Sequence, residues 1–112
     1  MYLFLDDIVG INKPYGLPMF GEEHLHSLEK YLPQLAKAAD ATELFQVHRL
    51  DSTTSGVLLL AKSREMHKTL CDLFRRRRID KRYWTIVRGI PEPSKGIVIQ
   101  QMSVQHTIYY LS

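Results

Sequence analysis

The sequence predicts an α+β domain in which a mixed, mainly antiparallel sheet is flanked by helices. Strand-like segments occur at residues 8–11, 57–61 and 82–87. Between them lie two segments whose apolar residues recur at helical spacing, one after Ser27 and one after Ser63. With 112 residues, the chain is long enough for one small domain.

The elements of the first half follow from local signals. The apolar run at residues 8–11 ends at a turn at residues 13–16, where proline presets φ and glycine permits positive φ. Ser27 is placed to cap a helix, and Pro33 predicts a kink or a short first turn in that helix. One face of the helix carries Leu28, Leu32, Leu35 and Ala36.

The second half begins with a continuously apolar run at residues 57–61, which predicts a buried strand. Ser63 predicts the start of a second helix. The basic residues 75–78 end that helix, where positive charge suits the helix dipole. Residues 82–87 alternate as in a strand, and residues 97–99 are placed to start another. The apolar positions of the second helix are Met66, Leu70, Leu73 and Phe74.

Charge and cysteine content restrict the class of protein. The net charge is +3 and the pI is about 9.1, which mildly favours an anionic partner. Cys71 is the single cysteine, so the chain forms no internal disulfide and fits an intracellular, reducing compartment. Cytoplasm, mitochondrion and nucleus are not distinguished. No apolar run is long enough to span a bilayer, so no membrane partner is expected.

A charged cluster precedes the most apolar run of the chain. Residues 48–51 read His-Arg-Leu-Asp, and residues 52–56 are small and polar. Because an ionised Arg or Asp is costly to bury without partners, this cluster is predicted to lie in a loop at the rim of the sheet. The stretch at residues 47–62 closely resembles the central motif of the RluA-like pseudouridine synthases, which isomerise uridine in RNA.

Two further motifs follow the order found in that family. Residues 8–18 resemble its opening strand and Asn-Lys-Pro-x-Gly turn, and residues 79–89 resemble its Lys-x-Tyr strand. The resemblance implies that residues 1–99 form part of a pseudouridine synthase catalytic domain. Residues 100–112 do not resemble the family and are expected to be a tail. The family's domain is longer, so we expect a truncated member with weak activity.

The resemblance also implies the chemistry. Asp51 is the expected catalytic residue, which would attack the sugar as a nucleophile or remove a sugar proton as a base. Pairing with a basic group would keep its carboxylate ionised. Tyr83 is expected to stack on the target uracil and to assist proton removal from carbon 5. The isomerisation has no redox step and no donor, so no cofactor and no metal are expected.

RNA is the expected partner, and several residues are candidates for binding it. Arg49 would approach the RNA and fill the gap that a flipped base leaves, or pair with Asp51. His48 belongs to the same motif, although a structural hydrogen bond suits it better than catalysis. Arg75, Arg76 and Arg77 would contact phosphates, or form a solvated helix end or a targeting signal. Lys13, Pro14 and Gly16 are expected to support the catalytic loop.

Rival interpretations of these residues are weaker. Asp51-Ser52-Thr53 lacks the glycine and the second copy that an aspartic protease requires. His24 and His26 lack further ligands to complete a metal site. The main alternative is a catalytically inactive RNA-binding fragment that keeps part of the synthase scaffold. An enzyme must complete a pocket around Asp51, whereas a binding protein needs only a basic face.

Overall fold

The computed structural model describes residues 2–21, 26–90, 92–94 and 96. The chain divides into two compact units, residues 1–79 and residues 80–112. The first unit contains all the helices and strands of the described residues, which are β1 (Tyr2–Phe4), β2 (Ile8–Lys13), α1 (Leu28–Ala38), β3 (Phe45–Gln46), β4 (Gly56–Ala61) and α2 (Arg64–Arg75).

The four strands form one antiparallel sheet in the order β1-β2-β4-β3. Its centre is the pairing of β2 with β4, which runs from Ile8 opposite Ala61 to Lys13 opposite Gly56. Because these strands are antiparallel, the end of β2 lies beside the start of β4. This pairing therefore brings the turn after β2 and the loop before β4 to the same end of the sheet. The prediction of an α+β domain with a mainly antiparallel sheet is confirmed.

One face of the sheet is covered by α1. Successive strand residues point to opposite faces, so every second residue of β2 and β4 enters the same core. Each fully buried aliphatic side chain there contributes about 1.5–3 kcal/mol to stability. This core joins Val9, Ile11, Leu58 and Leu60 of the sheet to Leu28 and Ala36 of α1. The buried face predicted for α1 is thus confirmed, and the helix continues through Pro33.

The opposite face is covered by α2. Ala61 and Val47 are buried there with Leu70 of the helix, and Met66 and Phe74 pack against them. Ser63 caps the helix as predicted, since its Oγ accepts a hydrogen bond from the Met66 N–H at 3.1 Å. Ser27 occupies the corresponding position before α1, but its side chain makes no capping bond.

Two strand predictions differ from the structure. β2 is longer than predicted, since it continues through Lys13. Residues 82–87 were predicted to form a strand, and this prediction is wrong for the structure, in which residues 80–90 have no regular secondary structure. A strand needs a neighbour for its backbone hydrogen bonds, and no described strand pairs with this segment. Trp84 and Ile86 are accordingly exposed. Residues 97–99, the other predicted strand, lie outside the described residues.

Both helices end in the same hydrogen-bonded motif with a non-glycine residue in the left-handed conformation. After α2, Arg77 has φ of 53°, and the N–H groups of Arg77 and Arg78 donate to the carbonyls of Phe74 and Leu73. These are the two bonds of a Schellman motif, whose left-handed position is usually glycine. Asp40 occupies that position after α1 with φ of 51°.

We predict that Arg77→Gly raises the free energy of unfolding by up to about 1 kcal/mol. A left-handed conformation costs an L-residue roughly 1–2 kcal/mol, and the greater freedom of glycine in the unfolded chain offsets part of the gain. Asp40→Gly serves as the matched variant on the other helix and should shift stability in the same direction. Chemical denaturation measures both, and a loss of stability at both positions would contradict the prediction.

Candidate active site

The loop at residues 47–55 carries the candidate catalytic residue to the surface. Leu50 is only 6% exposed and belongs to the core between the sheet and α1. Asp51 follows it directly and is exposed. The Asp51 carbonyl accepts a hydrogen bond from the Thr54 N–H at 3.0 Å, which closes the turn that leads into β4. A buried neighbour thus fixes the position of an exposed carboxylate.

The turn after β2 is bonded to this loop. The Gly16 N–H donates to the Ser52 carbonyl at 2.7 Å, and Gly16 has φ of 84°, a conformation that suits glycine. The Lys13 ammonium donates to the carbonyls of Leu17 at 2.8 Å, Pro14 at 3.1 Å and Ser52 at 3.4 Å. Lys13 itself is fully buried. These bonds support the structural role expected for Lys13, Pro14 and Gly16.

His48 holds the loop from its other side. The Leu59 N–H of β4 donates to Nε2 of His48 at 2.9 Å, so this nitrogen carries no proton. The ring stacks on Phe74 of α2, with the ring centroids 4.5 Å apart. His48 and Ser52 thus attach the two ends of the segment around Asp51 to different elements. This geometry favours the structural reading of His48, and its contact with substrate stays a prediction.

The buried ammonium of Lys13 and the carboxylate of Asp51 interact electrostatically. Burial lowers the pKa of Lys13 from its usual 10.5, and the negative charge of Asp51 acts in the opposite direction. Lys13 is therefore a buried positive charge that interacts with the carboxylate of Asp51. Sequence reasoning missed this second role. The available signal was the alternation of residues 9, 11 and 13, which places Lys13 on the same face as Val9 and Ile11.

The other candidate residues occupy separate places. Arg49 is exposed beside Leu50 in the same loop as Asp51. Arg75, Arg76 and Arg77 are exposed at the end of α2. Tyr83 is 51% exposed and belongs to the second unit, so its action on a base at Asp51 stays a prediction.

The part of the chain that the structure describes has neither a cluster of metal ligands nor a membrane-spanning helix. No group of three or more His, Cys, Asp or Glu residues in it could hold a metal ion. None of the helices in this part has the length and apolar character needed to cross a bilayer.

Residues 7–111 match the protein family described as RNA pseudouridylate synthase. The chain therefore belongs to this family, which confirms the resemblance carried by its motifs. The match also runs through residues 100–111, where the sequence motifs predict a tail unlike the family. Those residues lie outside the described part of the chain, and the boundary at residue 99 stays a prediction.

Several relatives are similar over most of this chain. The mitochondrial pseudouridylate synthase RPUSD4 of Mus musculus is 41% identical over 107 residues, which cover 89% of this chain and 28% of that protein. An uncharacterized RNA pseudouridine synthase of Zymomonas mobilis is 41% identical over 98 residues, or 86% of this chain and 44% of that protein. This chain thus spans less than half the length of these relatives.

A solved structure has a similar fold. The human RNA pseudouridylate synthase domain containing 4 superposes with a TM-score of 0.61 at 41% identity, covering 69% of this chain and 30% of that one. The α+β unit described above is therefore consistent with part of a synthase domain.

We predict that Lys13→Met lowers the free energy of unfolding by about 1–3 kcal/mol. Methionine keeps most of the apolar stem but leaves carbonyls at the turn without their donor, and a buried group that loses its partner costs about that much. Removing the buried charge offsets part of the loss. Lys68→Met, at an exposed position of α2, is the matched control and should change stability little. Equal midpoints and slopes for both variants in urea denaturation would refute the role of the ammonium.

A second prediction concerns the titration of Lys13. Asp51→Asn removes the charge that raises the pKa of Lys13, so this pKa should fall further below 10.5. Between the lowered folded-state pKa and 10.5, the unfolded chain keeps a proton that the folded chain has lost. The free energy of unfolding therefore rises with pH in this window, and the window widens in the variant. NMR titration of the Lys13 side chain measures the shift. A pKa that stays constant or rises would contradict the interaction.

Proposed function

We propose that this chain supplies the catalytic aspartate of an RNA pseudouridine synthase, an enzyme that isomerises uridine to pseudouridine in RNA. One observation carries the proposal. In a chain of this family, the exposed Asp51 lies in a loop that is fastened from both sides, by His48 to β4 and by the turn at Lys13. A carboxylate that is accessible to a substrate and yet held in position is what catalysis at a sugar requires.

The reaction breaks the bond between the sugar and nitrogen 1 of uracil, rotates the base and forms a bond from the sugar to carbon 5. The proton on carbon 5 must then leave. The Asp51 carboxylate acts at the sugar, either as a nucleophile at the anomeric carbon or as a base for a sugar proton. Lys13 supplies a positive charge that interacts with this carboxylate. Tyr83 is proposed to stack on the uracil and to assist the loss of the carbon 5 proton.

A uridine in structured RNA reaches an exposed carboxylate only when its base is extruded, which costs a few kcal/mol. Arg49 is exposed two residues before Asp51, so its planar guanidinium is placed to stack on the bases that remain. The arginines at the end of α2 are proposed to hold phosphates, which fixes the RNA without reading its sequence.

The names of the relatives suggest which RNA and which compartment to test first. One relative is named tRNA pseudouridine synthase C, from Haemophilus ducreyi, and is 35% identical over 88 residues. The RPUSD4 relatives are named mitochondrial. We therefore propose an intracellular location, with the mitochondrion as the first compartment and tRNA, then rRNA, as the first substrates to test.

A second candidate function is RNA binding without catalysis. The exposed arginines at the end of α2 favour this function, because they can bind RNA without a complete pocket around Asp51. This function predicts that the protein binds RNA and leaves its uridines unchanged.

We predict that Asp51→Asn lowers uridine conversion at least about a thousand-fold, because it removes the reacting carboxylate at nearly constant size. Asp6→Asn is the matched control. It makes the same change at an exposed aspartate in the turn between β1 and β2. This turn precedes the first residue of β2, whereas Lys13 is the last residue of that strand. Conversion is measured by mass spectrometry after chemical labelling of pseudouridine in RNA incubated with the purified protein.

Circular dichroism confirms that both variants fold. Full conversion by Asp51→Asn would refute the catalytic assignment. RNA binding with no conversion by the wild-type protein would favour the second candidate function.

A further inference from the structure

The four arginines at the end of α2 are not equivalent. Asp72 accepts hydrogen bonds from Arg75 and from Arg76, whose Nε lies 2.7 Å from a carboxylate oxygen. These pairs join residues three and four apart along the helix, which lie on the same side of it. The hydrogen bond from Arg75 is the largest of the causes that hold the pKa of Asp72 below its usual value. Two of the four positive charges are therefore already engaged.

Arg77 and Arg78 differ from this pair. Both are exposed, and within the described residues neither side chain has an ion pair or a hydrogen bond. Their backbones are nevertheless fixed, because both N–H groups cap carbonyls of the last turn of α2. The result is two adjacent, uncompensated guanidinium groups on a rigid backbone.

The conformation of Arg77 adds an independent observation. Its φ of 53° lies in the left-handed region, where glycine is the usual residue at the end of a helix. An arginine at this position retains a positive charge at the expense of backbone stability.

We propose that Arg77 and Arg78 form the phosphate-binding pair at this end of α2, and that Asp72 withholds Arg75 and Arg76 from the RNA. The proposal rests on the proposed function, since it takes RNA as the ligand, and it changes which arginines are expected to bind. The ligand chemistry is the phosphodiester backbone, which guanidinium groups bind through paired N–H donors.

Asp72 limits the affinity in two ways. Its negative charge repels a phosphate that approaches the arginines, and its bonds to Arg75 and Arg76 must be shared or broken before these can bind. Because each phosphate contact releases counterions from the nucleic acid, the salt dependence of binding reports the number of contacts. The roles of the two arginine pairs can therefore be separated by measurement.

The test is a salt titration of binding to a fluorescein-labelled, single-stranded oligouridylate. All variants carry Asp51→Asn, so that no turnover occurs. Changing Arg77 and Arg78 together to Gln should lower the affinity and reduce the salt slope by about 1.4, or 0.7 for each contact to a single strand. The same change at Arg75 and Arg76 should reduce the slope by less than half as much. Asp72→Asn should raise both the affinity and the slope.

Arg77→Gly and Asp40→Gly separate binding from folding. Both replace a left-handed residue at a helix end by glycine, and both are expected to stabilise the protein. Arg77→Gly should weaken RNA binding, whereas Asp40→Gly should not. DNA of matching sequence should respond to the arginine variants in the same direction, since the contacts are to phosphate.

Three results would overturn the proposal: equal losses from the two arginine pairs, an unchanged or lowered affinity in Asp72→Asn, or no RNA binding by the parent protein. Its failure is distinguishable from failure of the catalytic assignment. If the arginine variants bind RNA normally while the protein with Asp51 still converts uridine, only the phosphate-binding proposal fails. If the Arg77 and Arg78 variant alone loses RNA binding while the protein with Asp51 converts no uridine, only the catalytic assignment fails.

Discussion

The buried ammonium of Lys13 is the interaction on which the candidate site depends. A charged group is costly to remove from water unless donors and acceptors are paired. Here three backbone carbonyls accept from the ammonium, and one of them belongs to Ser52 in the loop that carries Asp51. The ammonium of Lys13 thus joins the turn to the loop and also interacts electrostatically with the carboxylate of Asp51. One group both positions the loop and supplies the positive charge.

The sheet makes this interaction possible. Lys13 ends β2 and Gly56 begins β4, and the antiparallel register places these two residues opposite each other. The turn after one strand and the loop before the other must therefore meet, although they are separated along the chain by α1 and β3. The helices on the two faces then fix the loop further. Leu50 enters the core beneath α1, and His48 stacks on a ring of α2.

The end of α2 illustrates a conflict between stability and charge. The hydrogen bonds of its last turn call for a left-handed residue, which glycine would supply without strain. The chain has Arg77 there instead, followed by Arg78. One helix turn earlier, Asp72 pairs with the two preceding arginines. The run of four arginines thus divides into two pairs: Arg75 and Arg76 are bonded to Asp72, whereas Arg77 and Arg78 have no side-chain partner among the described residues.

The sequence alone determined the elements whose signals are local. The apolar run of β4, the positions of Ser27 and Ser63 before the helices and the exposed position of Asp51 all follow from periodicity, capping and the cost of burying charge. The spacing of Asp72 from Arg75 and Arg76 is also present in the sequence, since residues three and four apart share one side of a helix. The tertiary structure decided the rest. The contact of Lys13 with the Ser52 carbonyl and the bond from Leu59 to His48 join residues that no local pattern relates. The segment at residues 82–87 alternates like a strand but lacks a paired neighbour among the described strands, because a strand depends on hydrogen bonds to residues distant in sequence.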